Sequence, residues 1–339
     1  MKTRREFITL LGGAAAAWPL AARAQQGSRM RRIAVLNGLT AEDPQSQARN
    51  AAFLQGLGEL GWQVGRNLQI EYRWAGGDAR RIPAYAAELV ALAPEVILAV
   101  GASVVGPLLG VTRSVSVVFV QVTDPVGSGF VASIARPGGN ATGFTLFEFG
   151  ISAKWIELLK EIAPRTTRAA VLFDPSSPTG FGMLGAIQSV APSFGIEITP
   201  IALRDEAEIE PQLAAFARGP NDGLVTLSGP PQILHRQLII AAAARQKLPA
   251  VYPYRYHVTG GGLVSYGPDE LEQHRQAAGY VDRILKGEKP ADLPVQAPTK
   301  YDLVLNFQNR QGAGPAGARY GAAARRRGDQ KKDAVCCGA

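Results

Sequence analysis

The sequence predicts an α/β fold made of two doubly wound parallel-sheet lobes. Two observations carry this reading. Short runs of β-branched and aliphatic residues, bounded by turn residues, alternate with stretches of helical spacing along nearly the whole chain. The alternation also comes in two series, separated by the stretch 117–145, VVFVQVTDPVGSGFVASIARPGGNATGFT. That stretch opens as a strand apolar enough to be buried on both faces, 117–122, and stops at Thr123-Asp124-Pro125, because Pro has no N–H for the ladder. A short apolar helical piece is expected around Phe130, Val131 and Ile134. Arg136-Pro137-Gly138-Gly139-Asn140 then forms a dense turn signal, and Gly143-Phe144-Thr145 restarts an extended segment. A polar loop at the carboxyl end of a buried strand is where open α/β sheets hold ligands.

The remaining elements follow in order. In the first series, 33–37 and 96–100 read as buried strands and 68–74 as a half-covered or edge strand. Asp43-Pro44 can start a helix carrying Phe53, Leu57 and Leu60, and 83–93 and 104–109 are helical. In the second series, helix 152–163 puts Trp155, Leu158, Leu159 and Ile162 on one face. Strands follow at 169–173, 197–201, 223–227 and 250–252, with helices at 180–194, 207–217 and 231–247 between them. An extended segment at 261–266, a long amphipathic helix at 269–285, a Pro- and charge-rich connection at 286–298 and a last strand at 302–306 complete the pattern.

The two ends of the chain differ from its body. Thr3-Arg4-Arg5-Glu6-Phe7-Ile8 has the paired arginines of a twin-arginine export signal. The apolar run 7–20 is only 14 residues long, too short to span a bilayer comfortably, and Ala22-Arg23-Ala24 supplies small residues at a cleavage site. Residues 1–24 are therefore expected to be a signal peptide that sends the protein to the periplasm. The formal charge of +8 resides in the ends: residues 25–308 hold 25 basic and 25 acidic side chains. A neutral body has no basic footprint for nucleic acid. Both cysteines, Cys336 and Cys337, lie in the last four residues, so the body has neither a thiol nucleophile nor a disulfide framework.

Motifs for cofactor chemistry are weak. Gly127-x-Gly129-x-x-Ala132, with Glu148 downstream, matches a dinucleotide fingerprint in letters but not in context, since the glycines do not turn directly off the strand or belong to the first strand–helix unit. There is no phosphate-binding P-loop and no nucleophile elbow. His235, His257 and His274 lack metal-ligand spacing, so neither a metal nor a cofactor is expected. Asp124 and Asp174 each precede a proline; turn formation explains each, and a catalytic carboxylate pair or hydrogen bonding to a ligand are the other readings. Tyr252, Tyr254 and Tyr256 are read either as the aromatic face of a strand or as the wall of a pocket, and Trp74 offers the same choice.

Several segments together resemble a known family. ARPGGN-TGFT (135–145), TDPVGSGF (123–130), SQARNAAFLQGLGELGW (46–62), YAAELVALAPEVILA (85–99) and GGLVSYGPD (261–269) are similar to the substrate-binding proteins of ABC importers of the tryptophan/tyrosine-binding type, over roughly residues 31–308. The resemblance implies a type I periplasmic-binding-protein fold, with three crossovers forming a hinge between the lobes. Lobe 1 is then expected to comprise 31–145 plus 265–290, and lobe 2 146–264 plus 291–308. It implies a monomer that closes on a small polar ligand, such as an amino acid, and delivers it to an ABC permease with ATPase subunits, without enzymatic chemistry. An exported enzyme or a ligand-sensing module on the same scaffold is the alternative, disfavoured by the lack of a nucleophile–base pair. Candidate ligand-binding residues are Asn37, Gly101, Ala102, Ser103, Thr123, Asp124 and Phe144 in the first lobe, and Asp174, Ser176, Ser228 and Tyr254 in the second. Helix N-termini with Ser103 would hold a carboxylate and an Asp an ammonium group.

The tail 309–339 departs from this family. Gly, Ala and Arg make up 19 of its 31 residues, which predicts disorder. Codons that write Gln308 to Pro315, read one base later, can give K-T-A-K-A-L-G-L, the continuation usual in the family. A frameshift near Phe307-Gln308 is therefore expected.

Overall fold

The computed structural model describes residues 30–306 and the pair 335–336. The expected leader, the expected frameshift and the rest of the tail lie outside these residues.

The first lobe is a parallel sheet covered on both faces. β1 (Arg31–Asn37) is buried from Ile33 onward, as a central strand requires. α1 (Pro44–Glu59) starts where the Asp43 side chain accepts the N–H groups of Gln45 and Ser46, with Pro44 at the first helical position. β2 (Leu68–Trp74) is half-buried beyond Leu68. α2 (Ile82–Ala91), β3 (Val96–Val100), α3 (Ala102–Val111), β4 (Ser116–Val122) and β5 (Ala141–Thr145) complete the series. The sheet order is β2-β1-β3-β4-β5, with every pair parallel. The helical piece expected around Phe130, Val131 and Ile134 is absent; turns and bends lead to β5. The breakers Pro125, Gly127 and Gly129 outweigh the apolar spacing. Asp124 and Gly129 both adopt positive φ (48° and 72°), and the Asp124 carboxylate accepts the Gly127 N–H.

The second lobe repeats the plan. Its elements are α4 (Ile151–Ile162), β6 (Arg168–Phe173), α5 (Pro178–Val190), β7 (Glu197–Ala202), α6 (Glu206–Phe216), β8 (Asp222–Thr226), α7 (Pro230–Leu234), α8 (Arg236–Arg245), β9 (Ala250–Tyr252), α9 (Arg255–Thr259) and β10 (Val264–Pro268). The helix expected at 231–247 is two helices that meet at His235. The chain then returns to the first lobe as α10 (Glu270–Leu285), before β11 (Tyr301–Leu305) pairs antiparallel with β10. β12 (Val335–Cys336) pairs with the outer edge of β11, giving the order β12-β11-β10-β9-β8-β6-β7.

Packing shows which lobe each return segment joins. Ala277, Val281 and Leu285 of α10 pack with Ile33, Val35, Leu98 and Val118 on one face of the first sheet, and Leu293 joins them. Val295 packs on the opposite face with Ile97, Phe119 and Val104. The second visit to lobe 1 thus begins at Asp269, which caps α10, and extends to about Gln296, later at both ends than the expected 265–290. The reason is backbone pairing. Residues 264–268 are spent as a strand of the second sheet, while Gln296 N–H donates to Gly143 O and Thr145 N–H donates to Gln296 O. Three crossings result, after Thr145, after Pro268 and between Gln296 and Tyr301.

The first crossing depends on a close backbone approach. A Cβ built on Gly143 (φ 156°) would lie 2.0 Å from the carbonyl oxygen of Phe119, on the neighbouring strand. Gly143→Ala must separate β4 from β5 beside the hinge. It is expected to destabilise the protein by about 2–4 kcal/mol, a loss measurable by urea unfolding.

Candidate functional site

The carboxyl ends of the strands of both sheets face each other across a cleft. It is lined from lobe 1 by Asn37, Gly38, Leu39, Val100, Gly101, Ala102, Ser103, Gln121 and Thr123, and from lobe 2 by Ser177, Thr179, Ser228, Gly229, Pro230 and Ile233, with Leu146 at the first crossing. Among the described residues no ionisable side chain lines it. Its polar groups are hydroxyls, amides and backbone N–H groups.

Each lobe offers these groups through the turn between a strand and the following helix. Gly101 leaves β3 with φ 102°, a value that glycine tolerates, and α3 starts at once with Ala102 and Ser103 on the cleft. No side chain caps the free N–H groups of this helix end, so they are available to an anionic or carbonyl oxygen. α5 from the other lobe also starts on the cleft, at Ser177 and Thr179, again without a side-chain cap. Asn37 is buried; its Oδ1 accepts the Leu39 N–H (2.9 Å) and so shapes the turn that lines the cleft. Thr123 Oγ1 and Thr179 Oγ1 are buried without a protein partner. A buried hydroxyl without a partner costs free energy, and a ligand in the cleft would remove that cost.

Of the expected ligand residues, the structure brings Asn37, Gly101, Ala102, Ser103, Thr123 and Ser228 to one cleft. The other five stand elsewhere. Asp124 caps its own turn through Gly127. Phe144 is core, 4.8 Å from the ring of Tyr280. Asp174 is buried under Gly229, and its Oδ1 is taken by the backbone and hydroxyl of the exposed Ser176. Tyr254 lies behind Ser228, joined to it hydroxyl to hydroxyl at 2.5 Å. The aromatic run is neither a strand face nor a cleft wall. Tyr252 ends β9, the chain turns into α9, and Tyr254, Tyr256 and His257 stack in the interior. Burial, and then the charge of Glu270, push the Tyr254 and Tyr256 hydroxyls well above their ordinary pKa, so both stay protonated.

Behind the cleft lies a layer of buried charge. Arg49 of α1 donates from Nη2 to Glu270 Oε1 (2.5 Å), and Gln121 Nε2 donates to the same oxygen (2.6 Å). Arg49 is 1% exposed and Glu270 7%. Burial raises the pKa of Glu270, and Arg49 opposes that rise. A second pair joins the lobes: Arg236 of α8 donates to Asp43 Oδ2 (2.7 Å), while Asp43 Oδ1 caps α1. The sequence does not single out Gln121: it stands within the apolar run 117–122, and its only signal is a lone amide among valines.

A two-lobed α/β molecule with helix N-termini aimed into the cleft from both sides belongs to the class of proteins that enclose a small ligand between lobes. The chain matches the family described as ABC transporter substrate binding protein over residues 32–314, and it belongs to that family, which is one of binding proteins and not of enzymes. It is 21% identical over 271 residues to the tyrosine-binding protein of Clostridioides difficile strain R20291, covering 78% of this chain and 76% of that one. It is similar to a Streptococcus pneumonia ABC domain solved in complex with L-Trp, at 21% identity and a TM-score of 0.77, over 83% of this chain and 94% of that one. It is also similar to a conserved domain protein of Vibrio cholerae, at 27% identity and a TM-score of 0.79, over 86% and 98% of the two chains.

The buried histidines set a pH limit on the fold. His257 and His274 each donate from Nδ1 to a backbone carbonyl, of Tyr254 and Glu270, and leave Nε2 unpartnered. Burial first of all, together with nearby arginine charge, lowers both to about 3. As pH falls below 6.5 the unfolded chain takes up protons that the folded chain refuses, so stability is lost. Between pH 7.5 and pH 5 each histidine should remove about 2 kcal/mol. Urea unfolding at the two pH values reads the loss, and His257→Gln should flatten the slope.

Proposed function

We propose that the protein is the extracytoplasmic, monomeric binding component of an importer, exported by its twin-arginine signal. It closes on a small polar organic molecule, an amino acid being the favoured class, and delivers it unchanged to a membrane permease served by ATPase subunits. The observation that carries this reading is the uncharged polar cleft between the lobes, with uncapped helix N-termini and unpartnered threonine hydroxyls facing it. Of the similar proteins, one is a tyrosine-binding protein and another was solved in complex with L-Trp. A carboxylate at the α3 and α5 N-termini suits the cleft's donors. Asp124 is spent on its own turn, and Asp174 Oδ1 on Ser176, while Asp174 Oδ2 is buried without a partner beside the cleft residue Gly229.

The cavity in the cleft has a volume of about 50 Å³, room for only a few waters. An aromatic amino acid is far larger, so its entry requires the lobes to part at the three crossings. A thermal-shift screen of amino acids, small carboxylates and polyols tests the ligand class. A ligand at 100 times its dissociation constant should add about 2.7 kcal/mol of stability and be recovered intact. The absence of any shift, or chemical conversion of the ligand, overturns the reading. Small-angle scattering should show a smaller radius of gyration with the ligand than without it.

The Arg236–Asp43 pair supports the closed form from outside the ligand site. Arg236→Ala should weaken binding by about 3- to 10-fold through a smaller closed population. Scattering of the free protein should show the corresponding expansion.

A further inference from the structure

We propose that Gln121 is the residue by which the cleft selects a ligand carrying an amine, with Glu270 as the residue that positions it. The proposal rests on the reading of the cleft as an amino-acid site and names the group that recognises the ammonium end.

Three observations lead to it. Gln121 sits in β4 with φ 59°, a left-handed conformation that a side-chain-bearing residue rarely adopts in a strand, and the register with β5 shifts between Phe119 and Val122. Gln121 is also the only residue of β4 that lines the cleft. Strain of this kind persists where the surroundings hold it in place, and such places cluster at ligand sites.

The second observation fixes the amide. Glu270 Oε1 lies 2.6 Å from Gln121 Nε2. A carboxylate accepts and does not donate, so the NH₂ end of Gln121 must face Glu270 and the carbonyl Oε1 must face away. Among the described residues no side chain or backbone group donates to that oxygen. The third observation is that Glu270 cannot easily turn. It is buried at the start of α10 and held by Arg49, itself 1% exposed, and loss of that pairing would strand a buried charge.

The cleft is therefore directional. Helix N-termini and hydroxyls supply donors, and Gln121 Oε1 supplies a fixed acceptor backed by a carboxylate. A zwitterionic α-amino acid matches this arrangement, with its carboxylate at the helix ends and its ammonium group at Gln121. A deaminated analogue would leave Oε1 without a partner.

The test measures binding of L-tyrosine and L-tryptophan, and of their deaminated counterparts 3-(4-hydroxyphenyl)propanoate and 3-(indol-3-yl)propanoate, to the full chain. Wild type should prefer the amino acids by about tenfold or more. Gln121→Met keeps length and backbone preference but removes the acceptor. It should weaken amino-acid binding by about 10- to 100-fold and change analogue binding by less than about twofold. Glu270→Gln, which frees the amide to turn either way, should shrink the preference without abolishing binding; if it does not fold, Gln121→Met alone decides. Equal losses for amino acid and analogue in Gln121→Met overturn the role of Gln121 and leave the cleft reading intact. Wild type that binds polyols but no amino acid overturns the amine assignment. Wild type that binds no member of the wider screen overturns the cleft reading itself.

Discussion

One buried carboxylate links the parts of this molecule. Glu270 begins the helix that brings the chain back to the first lobe, and its Oε1 accepts from Arg49 on the first helix and from Gln121 beside the cleft. Burying an isolated charge costs several kcal/mol, so a pair such as this one persists only with close geometry and further hydrogen bonds. The two helices that carry the pair pack tightly along their length; Gly56 on α1 leaves room for Ala278 of α10, where a built Cβ would come within 2.9 Å of that methyl group. The return helix is thereby anchored to the first lobe by apolar contact along its face and by charge at its start.

Three separate chain crossings join the two lobes. The first and third run side by side: Gln296 exchanges backbone hydrogen bonds with Gly143 and Thr145. The second enters α10 directly from β10, through the cap at Asp269. The lobes therefore meet through short backbone segments, while each sheet is packed on both faces by its own helices. Two side chains reach across between them. Leu39 reaches the apolar cluster of the second lobe, and Arg236 reaches Asp43 of the first.

The cleft follows the same economy. Its polar groups come from backbone N–H ends, hydroxyls and amides, and among the described residues no charged side chain lines it. Charge is kept one layer back, where Glu270 accepts from Gln121 and Arg236 pairs with Asp43 across the lobes. Tyr254 plays a similar part for Ser228 on the other side.

Much of the fold was legible in the sequence because it depends on local pattern. Apolar runs such as 33–37, 96–100 and 169–173 can only be strands buried on both faces, and Asp43-Pro44 and Asp269 announce helix starts by chemistry that acts within three residues. The glycine and hydroxyl residues at strand ends, Gly101 to Ser103 and Ser228, were legible for the same reason: an α/β sheet puts those turns on its ligand edge. Tertiary structure alone decided the direction of each side chain at that edge. Asp124 and Asp174 stand at strand ends like their neighbours, yet both bend back to satisfy nearby N–H groups, a choice that depends on backbone angles. Gln121 did the reverse, because a left-handed residue in a strand and a carboxylate 149 positions along the chain cannot be read from spacing. The sequence thus determined which turns line the cleft, and long-range burial of charge decided which side chains stand there with them.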